Sequence, residues 1–271
     1  MNEQVLNING YNYHIFCHVN SQASEHWVLL HGFMGSHHDF NAIVEHLSGT
    51  VLTLDLLGFG SSAPYVEEPK RFDMFAQITD LQLILKKLNW THINLLGYSM
   101  GGRLALGFAV KYPKLVKNLY LESSTAGLQY AVERQQRILN DEKKAQQIEY
   151  DFPAFVKQWE QLPLFNTQKH LPVTQQVAIR QQRLSQHPKN VANSLRYMGT
   201  GSQPNFWPNL VMLKCPTLLL VGSLDTKFRR IASDMNQLLP HAKVVTVAQA
   251  GHNVHFEAPK QVIEVLNHVS C

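Results

Sequence analysis

Three residues that together can make a hydroxyl reactive are spread widely along this chain: Ser99, Asp225 and His252. A serine hydroxyl is a poor nucleophile and a poor base until a histidine takes its proton and an acid orients that histidine. Ser99 lies in Gly97-Tyr98-Ser99-Met100-Gly101, a Gly-x-Ser-x-Gly pattern. The bare pattern is weak, and a plain glycine-rich turn would also satisfy it. Its flanks add the weight, because Ile93 to Leu96 reads as the end of an apolar strand and Met100 to Tyr112 as a helix. A serine forced into such a corner lifts its hydroxyl above the sheet edge, and its neighbours two residues away must be tiny. The helix behind it aims free N–H groups and a positive dipole end at the same point.

After a serine in this setting the acid is expected first and the histidine second. Asp225 follows the apolar run Leu218 to Val221, and His252 follows Val247-Ala248-Gln249-Ala250-Gly251. Asp225 could instead serve only as the N-cap of a helix starting at Thr226. His252 is one of fourteen histidines, singled out by Gly251-His252 after the final strand. An oxyanion forming beside Ser99 needs donors. The expected ones are the N–H of Met100 and that of Phe33, in the loop His31-Gly32-Phe33 after an earlier strand. Losing one such donor costs on the order of 3 kcal/mol of barrier. Asp55 with Gly58 and Gly60 reads as a packed structural turn.

The elements that must position these groups alternate in type. Val5–Ile8 and Tyr13–Val19 read as strands joined by Asn9-Gly10-Tyr11-Asn12, a hairpin signal. Further strands are expected at 27–30, 51–55, 93–96, 116–122, 216–222 and 242–247, with the texture of strands buried on both faces at 27–30, 51–55 and 216–222. Helical spacing appears at 40–47, 72–88, 100–112, 228–239 and 257–269. From Ser123 to Leu213 the texture changes to glutamine-rich helical stretches near 131–149, 152–160, 174–184 and 191–198. The expected fold class is α/β: a mostly parallel eight-stranded sheet covered by helices on both faces. The core would be 1–122 with 214–271, and 123–213 would be a helical insertion. His31-Gly32, Asp55, Ser99, Asp225 and His252 all follow strands, so they fall on one sheet edge, where such sheets place their ligands.

Composition narrows the function classes. The net charge of +4, from 24 basic and 20 acidic residues, is too mild to argue for nucleic acid, and no dense basic run occurs. Three widely spaced cysteines, Cys17, Cys215 and Cys271, give no disulfide framework and suit a reducing compartment. The N-terminal residues lack a signal pattern and no apolar run is long enough to span a bilayer. A cytoplasmic protein with no membrane partner is expected, a monomer or weak homo-oligomer. No ligand spacing for a metal and no phosphate loop is present, so no cofactor is expected.

The set His31-Gly32, Asp55-x-x-Gly58-x-Gly60, Gly97-x-Ser99-x-Gly101, Asp225 and Gly251-His252 resembles the α/β-hydrolase superfamily over nearly the whole chain. The insertion at 123–213 falls where that superfamily carries its helical cap. Within it, Gly97 to Leu106, Gly127-Leu128-Gln129, Arg137, Asn140-Asp141 and Ala250-Gly251-His252-Asn253-x-His255 resemble the 2-succinyl-6-hydroxy-2,4-cyclohexadiene-1-carboxylate synthase family of menaquinone biosynthesis. The resemblance implies a lyase whose substrate is a cyclohexene carrying a succinyl group, an enolpyruvyl ether and a ring carboxylate. Ser99, made basic by His252 and Asp225, would take a ring proton beside the succinyl ketone while pyruvate leaves. The N–H groups of Phe33 and Met100 would hold the dienolate oxygen. It further implies carboxylate contacts from Arg103, one helical turn past Ser99, and from Arg137 and Arg180. Tyr98, Trp159 and Phe165 would line the pocket, while Arg134 and Arg183 match less well. The chain departs from the family pattern in the spacing around Arg180, and in Leu57 and Phe59, which replace a frequent proline and histidine. The same triad also fits an ester or thioester hydrolase working through an acyl-serine, and the scaffold serves some non-enzymatic binding proteins. The complete set of triad and donors argues against the latter.

Overall fold

The computed structural model describes residues 2–268. Eight strands form one sheet in the order β1-β2-β4-β3-β5-β6-β7-β8. They are β1 (Asn2–Ile8), β2 (Tyr11–Val19), β3 (His26–Leu30), β4 (Thr50–Leu54), β5 (Ile93–Tyr98), β6 (Val116–Glu122), β7 (Thr217–Gly222) and β8 (Ala242–Val247). β2 is antiparallel to both β1 and β4, and the rest are parallel. β1 and β2 meet at Asn9-Gly10, both with positive φ, which shortens the expected four-residue connection to two.

Strand side chains alternate between two apolar layers. Val28 and Leu30 join one core cluster with helices α1 (Met74–Leu88), α2 (Met100–Lys111) and α7 (Thr226–Asn236). Trp27 and Leu29 join the other, with Val262 and Leu266 of α9 (Pro259–His268). Between β6 and β7 the chain forms α3 (Ala131–Tyr150), α4 (Phe152–Trp159), a 3-10 segment (Pro163–His170), α5 (Val173–Leu184) and α6 (Pro188–Met198).

Two expected elements differ. The helical spacing at 40–47 forms 3-10 turns, His37–Phe40 and Val44–His46, rather than an α-helix. Phe40, Ile43, Val44 and Leu47 are all buried, so the spacing fixed the inward face and not the hydrogen-bond pattern. The expected last helix is divided into α8 (Val254–Glu257) and α9. Pro259 starts the second, and Ala258 before it leaves helical geometry at φ −138°. Val269 and Cys271 lie outside the described residues; Cys17 and Cys215 are free thiols. No helix among the described residues is long and apolar enough to cross a membrane.

Candidate active site

The strand order puts the relevant loops side by side. β3 pairs with β5, Leu30 opposite Gly97, so the loop carrying Phe33 emerges beside the turn carrying Ser99. β7 pairs with β8, Gly222 opposite Val247, so the loops carrying Asp225 and His252 emerge together. Ser99 has φ 51° and ψ −104°, a strained corner for a residue with a side chain. The close approach explains its glycines. A Cβ on Gly101 would run into the carbonyls of Leu30 and His31, and one on Gly97 into the first turn of α2.

The three expected partners converge. His252 Nε2 lies 3.1 Å from Ser99 Oγ, and its Nδ1 lies 2.7 Å from Asp225 Oδ2. A carboxylate only accepts, so Nδ1 carries the proton and the Nε2 lone pair faces the serine hydroxyl. His252 is 2% exposed and Asp225 7% exposed, so the pair is shielded from water. Asp225 also caps α7, accepting from the Phe228 N–H at 3.1 Å. Its two oxygens thus serve the helix and the histidine at once, and the two sequence readings of this residue coexist. The Phe33 and Met100 N–H groups have no acceptor among the described residues, and both residues border the cavity over Ser99.

That cavity has a volume of about 220 Å³. Phe33, Tyr98, Trp159 and Phe165 give it aromatic walls. Tyr98 packs against His252 at 5.4 Å between ring centroids, and Trp159 lies 5.2 Å from Phe33 and 5.8 Å from Phe165. The charged side chains on its wall are Arg103, Arg137, Arg183 and Lys227 against one carboxylate, Asp39. Asp39 is engaged by the Gln182 amide at 2.6 Å.

Arg103 is 8% exposed and has no carboxylate within ion-pair distance among the described residues. Its Nη1 donates to the Met198 carbonyl at 2.7 Å and to Gln203 Oε1 at 3.0 Å. Met198 ends α6, so the negative end of that helix supports the cation. Burial, and then the neighbouring Arg137, push the Arg103 guanidinium down to about 9, which still leaves it charged at neutral pH. Arg137 donates through Nε to both oxygens of buried Asp141 at 2.8 and 2.9 Å. Lys227 is pushed down by burial and then by Arg137.

Arg180 is the expected site residue that the structure does not bring to the cavity. Its side chain is 56% exposed and bound to Glu160, with Nη2–Oε2 at 2.5 Å. On α5 the cavity is lined by Ile179, Gln182 and Arg183, at i, i+3 and i+4, which leaves Arg180 on the flank. Arg183 takes the inner place: it is 8% exposed, lies 5.1 Å above the Phe165 ring, and donates to Glu160 at 3.3 Å and Gln168 at 3.2 Å. Sequence reasoning also missed Lys227, two residues past Asp225, and Gln203, which holds Arg103. The valines of α5, Val173 and Val177, are exposed, so apolar spacing does not mark Arg183, and nothing local marks Gln203.

Asp55 is turned away from this cavity. It accepts from the His37 N–H and Nδ1 at 2.7 and 2.8 Å, and lines a separate small hollow.

Comparison with known proteins places these features in context. The alpha/beta hydrolase fold family matches residues 26–259. A 2-succinyl-6-hydroxy-2,4-cyclohexadiene-1-carboxylate synthase of Salmonella typhimurium is 30% identical over 242 residues, covering 88% of this chain and 91% of that protein. A Bacillus subtilis protein, provisionally named for the same activity, is 42% identical over 241 residues, covering 88% of this chain and 87% of that protein. The solved structure of MenH from S. aureus superposes with a TM-score of 0.88 at 36% identity, covering 94% of this chain and 96% of that one.

Proposed function

The chain belongs to the α/β-hydrolase fold family and, within it, to the 2-succinyl-6-hydroxy-2,4-cyclohexadiene-1-carboxylate synthases, and from that premise we propose how its cavity works. The protein is a lyase of menaquinone biosynthesis. It converts 2-succinyl-5-enolpyruvyl-6-hydroxy-3-cyclohexene-1-carboxylate to 2-succinyl-6-hydroxy-2,4-cyclohexadiene-1-carboxylate and pyruvate. Residues 123–213 serve as a cap on the core formed by 1–122 and 214–271.

The observation that carries the site assignment is the Ser99–His252–Asp225 line at the floor of a cavity with four cations and one carboxylate on its wall. The substrate has three carboxylates, and guanidinium groups match carboxylates in a planar fork. Arg103, Arg137 and Arg183, with Lys227, hold them and orient the ring over Ser99.

Ser99 gives its proton to His252 Nε2 and takes the ring proton beside the succinyl ketone. The ketone oxygen becomes a dienolate oxygen, held by the Phe33 and Met100 N–H groups. The electron pair returns through the ring double bond, the bond to the enolpyruvyl oxygen breaks, and the released enolpyruvate takes up a proton to become pyruvate. No water enters. Asp225 keeps the imidazole in the tautomer that presents Nε2 to the serine. Tyr98, Trp159 and Phe165 supply apolar contact and exclude solvent.

The test is pyruvate release from the enolpyruvyl substrate, for native protein and Ser99→Ala. Native release falling by a factor of about a thousand or more in the variant is expected, because the triad acts as a unit. Equal release from both would falsify the role of Ser99.

A further inference from the structure

The imidazole of His252 is aligned by more than Asp225. The backbone on either side of it is held by a single carboxylate. The Gly251 N–H donates to Glu257 Oε2 at 2.6 Å, and the Asn253 N–H to Glu257 Oε1 at 3.4 Å. Glu257 ends the one-turn helix α8 that follows the histidine loop, so the loop closes on itself around this side chain. The same Oε1 accepts the hydroxyl of Thr167, in the cap's 3-10 segment, at 3.0 Å. The cap presses directly on the loop there, since a Cβ on Gly251 would run into the Thr167 side chain. Two residues earlier, Phe165 meets the His252 ring edge-on at 6.3 Å and carries Arg183 on its face. One short cap segment therefore touches the imidazole, the glycine before it and a carboxylate-binding arginine.

We infer that Glu257 is a positioning residue for His252 and couples it to the cap through Thr167. The inference rests on the reading of Ser99 and His252 as the reacting pair. A carboxylate with two acceptor oxygens can satisfy both flanking N–H groups and the hydroxyl together; an amide cannot, because one of its ends is a donor. When the cap seats on the core, the Thr167 hydroxyl completes the set and the histidine loop has one pose. When the cap lifts, Glu257 loses the Thr167 hydroxyl as a donor and the loop loses its lateral stop. Arg183 rides on the same segment, so a ligand carboxylate that holds it also holds Thr167 in place. Recognition of the acidic substrate and alignment of the base are thereby linked. The other end of the loop is fixed separately: the His255 N–H and Nδ1 bind Glu122 of β6 at 3.1 and 2.9 Å.

The experiment compares native protein with Glu257→Gln, Thr167→Val and Thr167→Ser. It reads the rate at which a small fluorophosphonate labels Ser99, together with kcat, KM and Tm. Labelling and kcat are expected to fall about tenfold in Glu257→Gln and a few-fold in Thr167→Val, with KM within about twofold. Thr167→Ser restores the hydroxyl and is expected to restore both rates. Tm should stay within about 2 °C in the Thr167 variants, so the loss is one of alignment and not of folded protein. Native labelling rates in Glu257→Gln and Thr167→Val, a loss confined to KM, or no recovery in Thr167→Ser would overturn the inference. Labelling needs only the Ser99–His252 pair, so a native protein that labels but releases no pyruvate refutes the elimination and not the alignment.

Discussion

Arg103 holds a positive charge where nothing acidic touches it. A buried cation without a carboxylate is a cost to the folded state, and replacing such a charge by a well-packed apolar side chain is often neutral or stabilising. Arg103 is partly compensated by the Met198 carbonyl and Gln203, yet its Nε and Nη2 take no protein acceptor among the described residues. Under the proposed function, those donors are the ones left for a substrate carboxylate. Arg103→Met is therefore expected to lower kcat/KM at least a hundredfold, about 2.7 kcal/mol. The same variant should melt no lower than native protein, measured by differential scanning calorimetry. A structural arginine would give the opposite pair of results, a lowered Tm with activity retained per folded molecule. Arg103→Lys keeps the charge and loses the fork, and should fall between the two in kcat/KM.

Helix phase decides which of two arginines on α5 faces the cavity. Arg180 and Arg183 are three residues apart, but only Arg183 lies on the stripe with Ile179 and Gln182. Arg180→Gln removes an exposed ion pair with Glu160, worth about 0–1 kcal/mol, and should leave kcat/KM within about twofold. Arg183→Gln removes a buried guanidinium from the cavity wall. It should cost about ten- to a hundredfold in kcat/KM, by the usual worth of a charge-assisted hydrogen bond. A ranking in which Arg180→Gln is the more damaging would sink this assignment. The contrast shows where sequence reading stops. Strands such as those expected at 27–30 and 216–222, and the corner at Ser99, were legible because burial on both faces and a tight turn leave local marks. The direction of a side chain on an amphipathic helix depends on what that helix packs against, and on α5 the apolar Val173, Val177 and Leu184 are exposed, so their spacing points away from the cavity. The 3-10 turns at 37–46 escaped for a related reason, since spacing reports the buried side without reporting the turn. Gln203 left no trace because it acts on Arg103, one hundred positions away.

Across the whole molecule, the pair His255–Glu122 ties together parts distant in sequence. Both side chains are fully buried, with Nδ1 2.9 Å from Oε1. The His255 ring stacks on Phe40 at 4.7 Å and meets Tyr98 at 5.1 Å, so β5, β6, the first 3-10 turn and α8 share this contact. Burial works against protonating His255, but the charge of Glu122 and its hydrogen bond outweigh it, helped by Asp39 and Glu257, and the histidine is held above its ordinary value. The consequence for stability has a definite sign. A histidine that binds its proton more tightly when folded contributes stability in full below its unfolded value of about 6.5, and loses it as pH rises through the folded value. His18, His26 and His38 are shifted down by burial and act in the opposite sense, so the native curve alone mixes the two. The difference between native protein and His255→Gln isolates the buried pair. Urea midpoints measured from about pH 5.5 to 9 should show the native advantage over His255→Gln largest at the acidic end and shrinking as pH rises. An advantage that grows with pH would mean that His255 is buried neutral, with Glu122 held by the Nδ1–H alone.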